Sequence, residues 1–342
     1  MYSEATSSRR SWPGSSEELL TGGWAGATKI LTKAGCRAIR ELCDGKQHQV
    51  LGRDACWHDV TFAPCGAGPV LSVVVGRNRQ TKILQAAPGQ SWLLRTGPSR
   101  KQRALVPTGH LKEGDRLAVV FPRNGVRQTT PSPFGIAHGI TFGDGTLNGT
   151  GSMAQLDPAK DRPLLKWFSN SVVTETRAPH QLLVHHLPRF FKSLPPMQES
   201  VPYLYGWLAG YLAADGHVAK DGTVMLNCAK REILEYVRTV STRLGIGTYG
   251  ITEQVREGFP GRLPSSIFRV HFVTEDLSPA FFLLEEHRRR FEVSSKAFSR
   301  KGWVVRDVRG PVDGRKDLFS ISPEGHGEWA LEDNILVARL PK

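Results

Sequence analysis

The sequence predicts an α+β protein in which a pseudo-two-fold unit, made of two like repeats, is inserted into an all-β module. Three observations carry this prediction. A small-residue run ending in Asp-Gly occurs twice, at 137–145 and 208–216, in matching register. After each copy the apolar period changes from helical to alternating. On both sides of the repeated region, short alternating stretches follow one another between turn signals, which is the pattern of an all-β module.

The second copy, Leu208 to Gly216, sets the pattern. Leu208, Tyr211 and Leu212 make an apolar helical face. Ala209, Gly210, Ala213 and Ala214 leave little bulk elsewhere, so another helix backbone can approach. Asp215 then stands at the helix end, and Gly216 lets the chain turn out. The first copy, Ala137 to Gly145, aligns without a gap: Gly139 matches Gly210, Gly143 matches Ala214, Asp144 matches Asp215 and Gly145 matches Gly216, at an offset of 71 positions. Each half continues as a β-hairpin and a second helix, the latter expected at Lys160–Phe168 and Lys230–Leu244. An internal repeat of this kind lets the two helices pack about a pseudo-two-fold axis and brings both aspartates to one place.

With these residues in view, the chain resembles the two-motif LAGLIDADG homing endonucleases. Leu208–Gly216 matches their motif with Ala213 in place of an Asp, and Ala137–Gly145 is a divergent copy that keeps Asp-Gly. The resemblance implies two αββαββα-like repeats, with the motif helices as the interface. It also implies that Asp144 and Asp215, with Gly145 and Gly216 beside them, hold Mg2+ (or Mn2+). Lys160 and Lys230, matched in the repeat, are the expected partners that offset charge on the phosphate being cut.

Composition agrees with a polyanionic partner and excludes other classes. The net charge is +13 and the isoelectric point about 9.8, which points to a polyanionic partner; the resemblance implies that this partner is double-stranded DNA. No apolar run reaches the length of a membrane span, so no membrane role is expected. The start has Arg9-Arg10 without an apolar segment behind it, unlike a secretory signal. The five cysteines never form C-x-x-C, and they read as buried thiols in a reducing cytoplasm, that of a bacterial or phage-infected cell, rather than as zinc ligands.

The expected boundaries are a flexible segment over 1–24, the β module over 25–130 and 299–342, and the inserted unit over 131–298, with repeats of about 131–199 and 200–298. In the β module, strands are expected at 28–32, 49–52, 60–63, 70–75, 82–86, 91–95 and 116–120. This module resembles a Hint (intein) domain: Thr28–Gly35 looks like its opening strand block, Lys82–Arg95 like the block that carries a Thr-x-x-His, Leu111–Leu117 like a later turn and strand, and 302–305, 316–321 and 329–336 like its closing strands. The chemical stations of splicing are missing. No Cys or Ser stands at Gly23–Ala27. The Thr-x-x-His block reads Ala87-Pro88-Gly89-Gln90, and a glutamine cannot protonate a leaving nitrogen. Arg339 stands where a cyclising Asn is required.

The inserted unit offers strands at 251–255 and 267–272 whose alternate residues suit a DNA groove. Arg256, Arg262, Arg269 and His271 are the expected DNA contacts there, with Lys220 in a turn and Arg288 in a basic run. The sequence therefore reads as a monomeric, metal-dependent double-strand DNA endonuclease in a splicing-dead Hint scaffold. The alternatives are an intein with non-standard junctions and a non-cleaving, maturase-like nucleic-acid-binding protein.

Overall fold

The computed structural model describes residues 22–77, 80–97, 102–122, 126, 129–169, 171–177, 180–256, 265–293, 302–312, 314–322 and 327–339. The chain forms two compact units, one of Met1–Val120 with Lys301–Lys342 and the other of Phe121–Arg300. Among the described residues, no helix is long and apolar enough to cross a membrane.

The first unit is all-β. It starts with β1 (Trp24–Ala25), β2 (Lys29–Thr32), β3 (Gly35–Ala38), β4 (His48–Leu51), β5 (Trp57–Val60), β6 (Phe62–Gly68), β7 (Leu71–Arg77), β8 (Gln80–Ala86), β9 (Ser91–Thr96) and β10 (Gln102–Pro107). The second unit follows with α1 (Pro133–Asp144), β11 (Gly145–Asn148), β12 (Gly151–Leu156), β13 (Val173–Glu175), β14 (Leu182–Leu187), α2 (Val201–Asp215), β15 (Gly216–Val218), β16 (Val224–Cys228), α3 (Arg231–Arg243), β17 (Thr252–Arg256), β18 (Ser265–His271) and α4 (Glu285–Val293). The chain then returns to the first unit with β19 (Val304–Arg309), β20 (Lys316–Ile321), β21 (Glu328–Ala330) and β22 (Leu336–Ala338).

The two halves of the β unit interleave. One sheet runs β19-β7-β8-β1-β20-β6, a second β10-β9-β22-β21 and a third β3-β2-β4-β5. Trp24 on β1 pairs with Phe319 on β20, Val75 on β7 with Val305 on β19, and Trp92 on β9 with Val337 on β22. Alternation explains the core: Val73 and Val75 on β7, with Leu84 opposite Val73 and Ala86 two positions on along β8, point inward together. Trp24, Trp92, Trp303 and Trp329 fill the centre, and Trp24 meets Trp92 edge-on at 5.0 Å.

The inserted unit repeats its topology. Its sheets run β11-β12-β14-β13 and β15-β16-β18-β17, the same order in both halves. Leu234, Val237 and Val240 on α3, with Leu244 at its C-cap, fall at helical spacing and are buried. The first half differs. Where a helix is expected at Lys160–Phe168, the chain makes only 3-10 turns over Arg162–Trp167, with Pro163 in the first turn and no side-chain cap. Asp161 there is buried and accepts from the Asp157 backbone at 3.0 Å, which holds a tight turn rather than starting a helix.

Other expectations in the β unit are also corrected. Residues 116–120 form isolated bridges to Leu94, Val304 and Ile335 rather than a strand. β10 is a full strand that the sequence reading lacks. The cysteines are free, with Cys56 and Cys65 exposed and Cys36, Cys43 and Cys228 half-buried, so none is a fully buried thiol.

Candidate functional site at the paired helix ends

α1 and α2 start alike. Ser132 and Ser200 each accept the backbone N–H three residues on, at 3.3 Å, and each helix has a proline in its first turn. Along their shared seam the backbones touch. A Cβ on Gly135 would lie 2.4 Å from the Tyr203 carbonyl oxygen, and one on Gly206 2.4 Å from that of Ser132. One turn on, a Cβ on Gly139 would lie 2.1 Å from the Trp207 oxygen and one on Gly210 2.2 Å from that of Ile136. Every one of these partners is related by the same offset of 71 residues, so the seam is two-fold symmetric in register. Only glycine permits this approach. Gly135 and Gly206 lie just outside the two nonapeptides. The four-residue spacing Gly135-Gly139-Gly143 and Gly206-Gly210-Ala214 is the signal that finds them.

Both helices run directly into strands. Gly145 and Gly216 are the C-caps, with φ of −123° and −85°. Gly216 lets the chain leave the helix in an extended conformation. Glycine is needed for space, because a Cβ on Gly145 would meet the Thr141 carbonyl at 2.3 Å and one on Gly216 the Leu212 carbonyl at 2.3 Å.

Asp144 and Asp215 end the two helices. The position of a Cβ on Gly143 is 3.3 Å from Asp215 Oδ2, so the carboxylate of one helix stands over the last turn of the other. Asp144 is half-buried, and Asp215 opens to solvent. Burial, then the Asp215 charge and the Asp161 charge, push the Asp144 carboxyl up to about 6. Burial also raises Asp215, against the opposing pull of Lys192 and Lys160. A carboxylate raised both by burial and by a neighbouring carboxylate marks a site short of positive charge.

Lys192 supplies part of it. Its Nζ donates to the carbonyls of Thr141 at 3.2 Å and Phe142 at 2.5 Å, the free end of α1, and lies 5.7 Å from the Phe142 ring centre. Burial lowers its pKa, while Asp215 and Asp144 pull it back up. Lys192 sits in a 3-10 turn, Arg189–Lys192, inside the Pro-rich stretch that joins the repeats. His138 holds the next residue. Its Nε2 donates to the Ser193 carbonyl at 2.9 Å, and its Nδ1 accepts from the Tyr203 hydroxyl at 2.8 Å. Burial pushes this imidazole down to about 4, so it is neutral and packed flat on Phe191 at 4.9 Å.

Of the two expected lysines, Lys160 joins the site. Its charge acts on both aspartates, and it pairs with Asp161 at 3.7 Å. Lys230 is exposed at the N-cap of α3, its backbone N–H on Cys228 Sγ, and its charge does not act on either aspartate. The repeat symmetry that matched the two lysines is broken where a 3-10 turn in one half replaces a helix in the other. His287 on α4 also borders the site: burial, then the charges of His217, Arg290 and Lys160, push it down to about 4, against Glu286.

The expected DNA contacts separate. On the sheet β15-β16-β18-β17, Val224, Leu226 and Val270 enter the core. Met225, Asn227, Arg269 and His271 take the other face. Arg269 Nε donates to Asn227 Oδ1 at 2.8 Å. Lys220 is exposed in the β15–β16 turn. Arg288 is bound up within the fold, donating to the Phe282 carbonyl at 3.1 Å and pairing with Glu285 at 3.6 Å. Arg256 ends β17, its side chain outside the described set, and Arg262 lies outside the described residues.

In the β unit the three altered splicing positions come together. The Gly23 N–H donates to Gln90 Oε1 at 3.0 Å, and the Gln90 Nε2 donates to the Ala338 carbonyl at 2.7 Å and to that of Ser91 at 3.0 Å. The Ala87 N–H donates to the Gly23 carbonyl at 2.9 Å. Arg339, next to Ala338, donates its backbone N–H to Gly327 at 2.8 Å. Gln90 thus clasps the first strand to the last with every polar atom used.

Residues 202–276, from the first turn of α2 to just past β18, match the LAGLIDADG-like domain family, so the chain carries such a domain. No curated protein matches the chain. Among solved structures it is similar to full-length DUF199/WhiA from Thermatoga maritima, at 14% identity over 50% of this chain and 62% of that one, with a TM-score of 0.33. It is similar to I-DmoI in complex with DNA and Ca, at 11% identity over 42% and 84%, TM-score 0.29. It is also similar to a DnaB intein from Synechocystis, at 15% identity over 29% and 69%, TM-score 0.25.

Proposed function

We propose that the Phe121–Arg300 unit is a metal-dependent, site-specific endonuclease of double-stranded DNA, carried in a Hint-like β unit that does not splice. The observation that supports this best is the carboxylate pair. Asp144 and Asp215 end two helices whose seam admits only glycine; burial raises both, and the Asp215 charge raises Asp144 further. A purely structural helix end has no use for such a pair.

The donor set suits Mg2+ or Mn2+. Among the described residues no three His, Cys, Asp or Glu gather as a complete metal cage. Two carboxylates are what Mg2+ takes from a protein when water and substrate phosphate complete its shell. Bound there, the ion supplies a nucleophile at neutral pH and charge for the leaving oxygen. The chain's own residues do the rest. Asp144 and Asp215 fix the position of the ions, and Gly145 and Gly216 turn the strands away beneath them. Lys192 and Lys160 bring positive charge toward the phosphate, where it stabilises the transition state. Arg269 and His271 lie on the sheet face available to DNA. With both repeats in one chain, a monomer completes the site and favours a target without strict two-fold symmetry.

The test is cleavage of a plasmid that carries the uninterrupted form of the host gene, with Mg2+ or Mn2+, beside Asp215→Asn. Linear product from the wild type alone is expected. Retardation of that DNA with no cutting under either metal would mark a non-cleaving binding protein.

A further inference from the structure

The sheets β11-β12-β14-β13 and β15-β16-β18-β17 share their order, so their strand pairings can be laid over one another. Gly145 opposite Ala154 matches Gly216 opposite Leu226, and Ala154 opposite Val184 matches Leu226 opposite Val270. Leu183 opposite Thr174 matches Arg269 opposite Thr252. Ala154, Val184, Leu226 and Val270 are buried in the cores of the two halves. Their strand neighbours take the other face of each sheet, the face available to DNA. That face repeats itself from one half to the other. Met153 answers Met225, His185 answers His271 and Thr174 answers Thr252. The segments between the strands differ in length, so only the pairing brings these matches out.

One pair of positions breaks the repeat. Gln155 opposite Leu183 in the first sheet stands where Asn227 opposite Arg269 stands in the second. The two pairs differ in what they can read. Asn227 Oδ1 accepts from Arg269 Nε at 2.8 Å. The shorter amide is thereby committed to holding the arginine. The bond uses Nε, so the two-pronged Nη end of the guanidinium is not spent on it. A guanidinium held in this way matches the O6 and N7 acceptors of guanine. In the first sheet the amide has no arginine opposite it to hold. Gln155 is exposed, and its amide both donates and accepts, as N7 and N6 of adenine require. Leu183 beside it offers only apolar surface, which suits a thymine methyl group. A guanine facing Leu183 would instead bury its two acceptors without a donor.

We propose that the two halves of the DNA target differ at this one base-pair position: a G·C pair read by Arg269 in the half under the second sheet, and an A·T pair read by Gln155 and Leu183 in the half under the first. Asn227 is a positioning residue for Arg269. Where the matched Met, His and Thr side chains face the DNA, the two half-sites are alike. This specificity depends on the DNA-binding part of the function proposed above and not on hydrolysis.

The experiment is selection of bound duplexes from a random library by the full chain, without divalent metal, followed by sequencing. The wild-type consensus should be a near-palindrome with one break, G·C against A·T. The Asn227→Gln/Arg269→Leu variant should enrich A·T in both halves, and Gln155→Asn/Leu183→Arg should enrich G·C in both, so each swap restores two-fold symmetry. Changing that guanine to adenine should weaken wild-type binding roughly ten- to a hundredfold and leave the Asn227→Gln/Arg269→Leu variant nearly unaffected. If the variants fail to fold, 7-deazaguanine at that position carries the test: it lacks the N7 acceptor and should weaken the wild type several-fold. A consensus without the break, a break that neither swap moves, or equal affinity for guanine and 7-deazaguanine would overturn the proposal. So would DNA binding that enriches no sequence, and failure to bind any duplex would remove the DNA reading as a whole. Adding Mg2+ to the selected duplex reads hydrolysis separately. A duplex bound with this break and left uncut would sink the endonuclease and leave the base reading in place.

Discussion

Gly139 lies against Trp207 so closely that a Cβ on the glycine would come within 2.1 Å of the tryptophan's carbonyl oxygen. The obstacle is backbone, which no rotamer change relieves. Gly139→Ala must push α1 and α2 apart, and it should destabilise the inserted unit by about 3 kcal/mol. Gly210→Ala, its mate at 2.2 Å from Ile136, should behave alike. Chemical denaturation measures both, and a loss under 1 kcal/mol would mean that the helices do not meet at this seam.

The carboxylate pair gives the fold a pH dependence of definite sign. The Asp144 carboxyl is pushed up to about 6, above the usual value of about 3.9 for a free chain. The folded state therefore favours its protonated form. That contribution is complete below about pH 4 and is lost as pH rises through 6. Asp144→Asn should melt like wild type at pH 4 and higher than wild type at pH 7.5. The gain should be on the order of 1 kcal/mol once solvent screening is allowed for. Added Mg2+ should raise the wild-type Tm at pH 7.5 and leave the variant unmoved. A variant that melts no higher at pH 7.5 would show that Asp144 is satisfied by the protein alone.

Lys192 separates binding from chemistry. Lys192→Met should lower the cleavage rate roughly a hundredfold or more, the usual loss for one preorganised charge at a reacting phosphate. DNA affinity should stay within about threefold. A drop in affinity with an unchanged rate at saturation would make Lys192 a DNA contact only.

Gln90 should prove structural. Its side chain is almost fully buried and bridges Gly23 and Ala338. Gln90→Ala orphans a backbone N–H and a carbonyl and should destabilise the β unit by about 2 kcal/mol. Gln90→His should not restore splicing, because Gly23 still offers no nucleophile. Mass spectrometry of a chain with added flanks should show it intact.

The helix pair was legible in the sequence because one constant offset relates both copies, and a gapless repeat transmits pairing as well as helicity. The alternation of Val73, Val75 and Leu84 was legible for the same local reason. Lys192 was not. It reaches Asp144 and Asp215 from a 3-10 turn in a Pro-rich stretch without periodicity, placed there by His138 through Ser193. Lys160 and Lys230 looked equivalent because sequence matching cannot see that α3 has only 3-10 turns as its counterpart. Arg288 looked available for DNA until its bonds to Phe282 and Glu285 were in view. Charge on a side chain is written in the sequence, whereas the partner that claims it depends on the fold.

The pairing of β7 with β19 sets a timetable for synthesis. Val75 must wait for Val305, and Trp92 for Val337. At about 5–20 residues per second, the ribosome needs roughly ten to fifty seconds to deliver those partners. In that interval the whole Phe121–Arg300 unit emerges and is able to fold, while β7 and β8 in one sheet and β9 in another remain in unfinished sheets with open edges. Such edges invite pairing with other chains. The step at risk in producing this protein is thus the closing of the interrupted β unit, so slowing translation before residue 120 has less to offer than lowering temperature or supplying a chaperone until the last strands arrive.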